Sequence, residues 1–113
     1  MKEFTIEANP GEAPKDRLKD LKSMGINRLS IGVQSLQSQL LKFLTRIHSK
    51  EQVFETYNNA RASGFNNINC DLIYSIPNQT LNMWGQDLST IIKMEPEHIS
   101  AYALTAVSYT HLR

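Results

Sequence analysis

Four short segments with the composition of β-strands alternate with helix-like segments along this chain. The predicted strands cover residues 3–8, 28–33, 67–77 and 98–104. Helices are predicted from Pro14 to a C-cap at Gly25, over residues 37–46, over residues 50–64 and after an N-cap at Thr80. Alternation of strand and helix at intervals of roughly 25 to 40 residues is typical of right-handed βαβ units. The sequence therefore predicts an α/β fold with a parallel sheet.

The helical segments carry signals for their boundaries and their packing. Ser49 and Gln52 form a capping box at the start of the third helix. Five apolar residues of the fourth helix recur at helical spacing and are predicted to face the sheet together: Leu81, Trp84, Leu88, Ile91 and Ile92. Each helix is thus expected to pack on the sheet through one side.

Size and composition limit the classes of function. The chain has 113 residues, enough for one domain but fewer than the ~250 of a complete eight-unit α/β barrel. A net charge of +1 does not indicate a nucleic-acid partner, and no stretch approaches the ~20 apolar residues of a membrane span, so a cytoplasmic location is expected. The single cysteine, Cys70, excludes an internal disulfide and is expected to be a small buried hydrophobe.

Polar residues stand at the ends of the predicted strands or, for Asp71 and Tyr74, late in the third strand. They are Glu7, Asn9, Gln34, Ser35, Asp71, Tyr74 and Thr105. The carboxyl ends of parallel strands meet at one rim, where ligands of α/β folds gather, although ordinary loop capping also explains Asn9, Ser35 and Tyr74. Glu7 and Asp71 are flanked by strand hydrophobes, so each carboxylate is expected to need a hydrogen-bonding partner or a cation, which a bound ligand could supply.

Arg46 is the further candidate, because its planar guanidinium could pair with a ligand carboxylate. Composition alone favours a solvated surface arginine at this position. His48 has no second histidine or cysteine at ligand spacing, and no metal site is predicted from the three histidines. No nucleophile elbow, P-loop or dinucleotide-binding motif is present. The residues alone therefore predict an α/β domain with a polar small-molecule site.

Five phrases, in order and spacing, resemble the radical SAM barrel of the HemW and coproporphyrinogen dehydrogenase families. They are "IEANPG", "NRLSIGVQS", "RIHS", "NINCDLIYSIPNQT" and "EPEHISAYALT". The resemblance covers about residues 3–105 and implies an internal part of a TIM-like barrel with about four parallel βα units. "EANPG" and "RIH" look like the HemW heme chaperones. Residues 106–113 depart from the family and are expected to be a non-native tail, and Ser75 stands where the family reads glycine.

The resemblance implies a cofactor and the residues that contact it. Those matching Glu7, Gln34, Arg46 and Asp71 contact S-adenosylmethionine in this family, and the position of Thr105 lies beside it. The cysteines that hold the family's [4Fe–4S] cluster are expected upstream of Met1, so no catalytic residue or metal ligand is assigned here, and the chain alone is expected to be inactive.

Three functions remain open on the sequence alone. The first is a heme chaperone, whose partners would be heme or a porphyrin and heme-acceptor proteins, including membrane-associated ones. The second is oxygen-independent coproporphyrinogen III dehydrogenase, which carries out an oxidative decarboxylation. The third is an autonomous flavodoxin-like domain that binds a small molecule.

Overall fold

The predicted strands form one parallel sheet in which spatial order follows chain order, β1-β2-β3-β4. A computed structural model describes residues 3–46 and 48–104. The strands are β1 (Thr5–Ala8), β2 (Arg28–Gln34), β3 (Ile68–Tyr74) and β4 (His98–Ala103). The helices are α1 (Lys15–Ser23), α2 (Ser38–Phe43), α3 (Lys50–Ala62) and α4 (Leu81–Met94). The α/β prediction is confirmed.

Strand order decides between the two α/β architectures. A flavodoxin-like sheet places its first strand inside the sheet, in the order 2-1-3-4-5. Here the chain adds each strand to the same growing edge, as in a barrel, and α1, α3 and α4 contribute to a single core through Leu18, Val53 and Ile91. The flavodoxin-like alternative is therefore wrong, and the sheet is part of a TIM-like barrel.

Most helix boundaries follow the local signals. Ser49 Oγ accepts a hydrogen bond from the Gln52 amide and Gln52 Oε1 accepts one from the Ser49 amide, which confirms the capping box. The Thr80 hydroxyl caps α4 by accepting from the Met83 amide. Pro14 is the N-cap residue of α1 rather than its first helical residue. At the end of β3, Ser75 has a φ of 62°, the left-handed conformation that glycine adopts more easily.

The predicted apolar stripe of α4 is only partly correct. Ile91 is buried, and Trp84 and Leu88 pack partly against the core. Leu81 and Ile92 are exposed, with 89% and 54% of their surface accessible. Leu81 is the first residue of the helix, and Ile92 lies about 100° around the helix from Ile91, so both fall outside the strip that the sheet covers.

The two outer strands each have one neighbour within the described residues. β1 pairs only with β2, and β4 pairs only with β3. Five of the six residues of β4 are exposed. In the described part of the chain, none of the helices combines the length and the apolar character that crossing a lipid bilayer requires.

An ion pair at the amino end of the sheet ties α3 to β3 and β4. The Arg61 guanidinium donates to both carboxylate oxygens of Glu97, over 2.8 and 2.9 Å. Glu97 also accepts from the Ile68 amide, over 2.8 Å, where β3 begins. Burial disfavours the charged carboxylate, but these hydrogen bonds outweigh it, so the pKa of Glu97 lies below its ordinary value.

Replacing Glu97→Gln should lower the free energy of unfolding by about 1 kcal/mol at pH 7, since Arg61 and Ile68 lose a charged acceptor. A carboxyl whose pKa is lower in the folded state stabilises the fold above its ordinary pKa, and this contribution is lost as the pH falls through the folded value. Urea denaturation at pH 7 and at about pH 3 measures the difference in the free energy of unfolding between the unaltered protein and Glu97→Gln. This difference should be smaller at about pH 3.

The matched control is Glu3→Gln, because the Glu3 carboxylate is 59% exposed and lies 3.9 Å from Arg28 Nε. Its effect should be small at both pH values. A Glu97→Gln difference that is equally large in acid would contradict the assigned role of the charge.

Candidate functional site

Polar side chains line up on the face of the sheet opposite the helices. The register pairs Glu7 with Ser30, Ser30 with Asn69, and Asp71 with Ser100. The intervening residues of β2 and β3, such as Ile31 and Cys70, point into the apolar core. Because side chains alternate along a strand, one face of each strand is apolar and the other is polar. We call the second one the polar face.

Asp71 is held at the centre of the polar face by its neighbours. Asn69 Nδ2 donates to Asp71 Oδ1 over 2.6 Å, and Ser30 Oγ donates to Asp71 Oδ2 over 3.1 Å. Asn69 also donates to Ser30 Oγ and accepts from Ser100 Oγ, each over 3.0 Å. The partner expected for this carboxylate is thus within the chain. A carboxylate can accept about four hydrogen bonds, so Asp71 keeps acceptor capacity.

Glu7 does not need the partner that its apolar flanks suggested. Its side chain is exposed at the edge strand β1. Within residues 3–46 and 48–104 its carboxylate makes no hydrogen bond or ion pair. The expected partner of Glu7 is therefore not found among the described residues, where the carboxylate is exposed and can be solvated by water at little cost.

Gln34 ends β2 in an unusual backbone conformation. Its φ is 66°, and the Ser35 amide donates to the Val33 carbonyl across it, over 2.8 Å. A β-carbon on Gly32 would lie 3.1 Å from Gln34 Nε2 and 3.6 Å from Asn9 Oδ1. The side chains of Gln34 and Asn9 therefore both border the space that Gly32 leaves free.

Arg46 is not the solvated surface residue that composition favoured. Its side chain is half-buried, and its Nε is buried without a hydrogen-bond partner among the described residues. It lines a cavity of about 210 Å³ together with Asn9, Pro10, Glu12, Thr45 and His48. A buried N–H of a permanent cation is costly to leave unpaired, so this cavity suits an anionic group.

His48 stands beside Arg46 and bonds back to the sheet. Its Nε2 donates to the Val33 carbonyl over 2.9 Å. Burial lowers the pKa of His48, and the nearby charge of Arg46 lowers it further, while the bond to Val33 and the charge of Glu12 act in the opposite direction. The imidazole is therefore mostly neutral at pH 7, and Arg46 supplies the positive charge of the cavity.

The predicted contacts are spread along the sheet rather than enclosed together. A second cavity of about 130 Å³ is lined by Glu7 and shares Asn9 and Glu12 with the cavity at Arg46. Gln34 and Asp71 line neither of these two cavities. Thr105 lies outside the described residues.

Within the described ranges, no three His, Cys, Asp or Glu side chains are grouped so that they could hold a metal ion. Cys70 is fully buried. Burial, and then the charge of Asp71, raise the pKa of its thiol to about 12. A thiol that stays protonated is a poor metal ligand.

The sequence interpretation assigned no role in this region to Asn69, Gly32 or His48. Asn69 could have been found, because it lies two positions before Asp71 and must share its face of the strand. Gly32 lies two positions before Gln34 and could have been found in the same way. The role of His48 comes from Val33, a neighbour in space but not in sequence, and has no local signal.

Comparison with known proteins yields consistent matches. The profile of the Radical SAM superfamily matches residues 1–91. The chain is 40% identical to the heme chaperone HemW of Bacillus subtilis over 92% of its own length and 27% of the relative's. It is 34% identical to the oxygen-independent coproporphyrinogen III oxidase of Escherichia coli, over 97% of its own length and 23% of that protein.

A solved structure described as coproporphyrinogen III oxidase (HemN) from Escherichia coli, a radical SAM enzyme, has a TM-score of 0.83 at 33% identity. The match covers 98% of this chain and 26% of the chain in the solved structure. The chain thus spans about a quarter of the length of the relatives that it matches.

Replacing Asn69→Ala should lower the free energy of unfolding by about 1 to 3 kcal/mol, because Asp71, Ser30 and Ser100 each lose a partner on the polar face. Asn66→Ala is the matched control, since Asn66 is exposed and should change stability by less than about 0.5 kcal/mol. Denaturant titration of both variants tests the network, and equal effects would show that it contributes nothing.

Proposed function

Because the chain belongs to the radical SAM superfamily, we propose that it forms part of the S-adenosylmethionine-binding core of a heme chaperone of the HemW kind. The observation that carries the proposal is Arg46, a permanent cation with a buried and unpaired N–H beside a cavity near the carboxyl end of the sheet. The methionyl carboxylate of S-adenosylmethionine is an anionic group of the kind that such a cavity suits.

Each proposed contact has its own chemical role. Arg46 pairs with the carboxylate of the ligand, and Gln34 both donates and accepts hydrogen bonds. The carboxylates of Glu7 and Asp71 accept from its amino group and its ribose hydroxyls. Thr105 is proposed to lie beside the same ligand.

Two further observations support a fit to this ligand. Asp71 is fixed by Asn69 and Ser30 before any ligand arrives, so little side-chain entropy is lost on binding. The missing side chain at Gly32 leaves room beside Gln34 and Asn9. In this family S-adenosylmethionine and an iron–sulfur cluster supply radical chemistry when bound. The described residues are proposed to position the S-adenosylmethionine.

The described residues do not fit an iron–sulfur cluster. An iron–sulfur cluster needs several cysteine thiolates, whereas the one cysteine, Cys70, is buried and protonated. We therefore propose that residues 1–105 are part of a longer barrel whose other segments hold the cluster, and that residues 106–113 do not belong to this core.

The proposal predicts binding that depends on Arg46. In the full-length protein with its complete barrel, Arg46→Gln should weaken S-adenosylmethionine binding by about 1.5 to 3 kcal/mol, the range for a hydrogen bond to a charged group, and Asp71→Ala by about 1 to 3 kcal/mol. Isothermal titration calorimetry measures both. Lys42→Gln, which removes an exposed cation at the end of α2, is the control and should bind like the unaltered protein. Unchanged affinity in Arg46→Gln would remove this residue from the site.

Heme delivery is the function proposed for the whole protein, with heme or a porphyrin as cargo and heme-acceptor proteins, including membrane-associated ones, as partners. It rests on the relative named as a heme chaperone, at 40% identity. Oxygen-independent coproporphyrinogen III oxidation is the second candidate, favoured by the structural match at a TM-score of 0.83.

The two functions separate in one experiment on the full-length, cluster-containing protein under anaerobic conditions. A heme chaperone should bind heme, seen as a shifted absorption band, and leave coproporphyrinogen III unchanged in the presence of S-adenosylmethionine and a reductant. Decarboxylated product in that mixture would overturn the chaperone proposal in favour of the oxidase.

A further inference from the structure

The backbone at Gln34 is strained, at the point where the pairing of β2 with β3 shifts register. A side chain at a φ of 66° costs on the order of 1 kcal/mol, a cost that glycine avoids. The three-residue turn from Val33 to Ser35 closes by a single hydrogen bond of 2.8 Å, and turns of this hand are rare. Such a conformation persists only where surrounding contacts enforce it.

One side of the turn is held by α4. Asp87 is 1% exposed and accepts three hydrogen bonds from the segment that follows Gln34. The donors are Ser35 Oγ at 2.8 Å, the Leu36 amide at 3.1 Å and Gln37 Nε2 at 2.9 Å. The chain after Gln34 therefore cannot shift without breaking buried, charge-assisted bonds.

The other side of the turn is held by His48. Its Nε2 donates to the Val33 carbonyl, the same oxygen that receives the Ser35 amide. This bond joins the segment after α2 to the end of β2, between residues 15 positions apart in the chain. With Asp87 fixing one side, His48 determines the orientation of the peptide that precedes Gln34.

We propose that His48 is a positioning residue that acts through Gln34: it holds the strained turn so that the Gln34 side chain stays beside Gly32 and Asn9, ready to bond the ligand. The inference rests on the proposed function, because it assigns Gln34 to the S-adenosylmethionine site. This role differs from direct contact with the ligand, because the Nε2–H of His48 donates to the Val33 carbonyl and so stabilises a backbone conformation.

The test is a double-mutant cycle in the full-length protein, with S-adenosylmethionine affinity measured by calorimetry. His48→Phe keeps a ring of similar size but loses the donor, and should weaken binding roughly three- to tenfold. His48→Gln keeps an amide donor of similar reach and should restore most of that affinity. In a Gln34→Ala background, His48→Phe should cause little further loss.

Lys42→Gln, at the exposed cation near the end of α2, is the control here too and should bind normally. If the His48→Phe protein fails to fold, His48→Asn replaces it, because its shorter side chain loses the reach to Val33. An unaltered protein that does not bind S-adenosylmethionine refutes the proposed function. Normal binding in the unaltered protein and in His48→Phe alike refutes the role of His48, and so does an equal loss in the Gln34→Ala background.

Discussion

The addition of each parallel strand beside the one before it, in the order β1-β2-β3-β4, is the constraint on which the rest of this structure depends. It places α1, α3 and α4 in contact with a single core, so one face of the sheet is covered and the other is left open. The polar face follows directly, because the alternating side chains of β2 and β3 must then put Ser30, Asn69 and Asp71 opposite the helices. A chain of this length can place several polar groups together only because its strands add in order.

Local patterns in the sequence were enough to predict most of the fold. The capping box at Ser49, the cap at Thr80 and all four strands depend on residues close together in the chain, and they are confirmed. The exposure of Ile92 was not predictable in this way, since helical spacing defines a stripe but not how wide a strip the sheet covers. The exposure of Glu7 was not predictable in this way either, since strand-like neighbours do not show how many partners a strand has.

The candidate site shows the same division between local and distant signals. Position at a strand end was sufficient to single out Gln34, and a carboxylate between strand hydrophobes was sufficient to single out Asp71 in the middle of β3. The proposed roles of both residues stay predictions. The unpaired Nε of Arg46 and the hydrogen bond from His48 to Val33 depend on packing between segments that are far apart in sequence. Composition therefore favoured the wrong environment for Arg46. The left-handed backbone at Ser75, by contrast, agrees with the glycine that the family resemblance led us to expect there.

Burial of the Cys70 thiol makes this cysteine unreactive towards metals, disulfides and oxidants. A thiol with a pKa of about 12 has almost no thiolate near neutral pH, and the thiolate is the form that captures iron, attacks disulfides and is oxidised to sulfenic acid. Cys70 is therefore chemically inert while the sheet stays folded, and thiol reagents and oxidants can reach it only when β2, β3 and β4 separate.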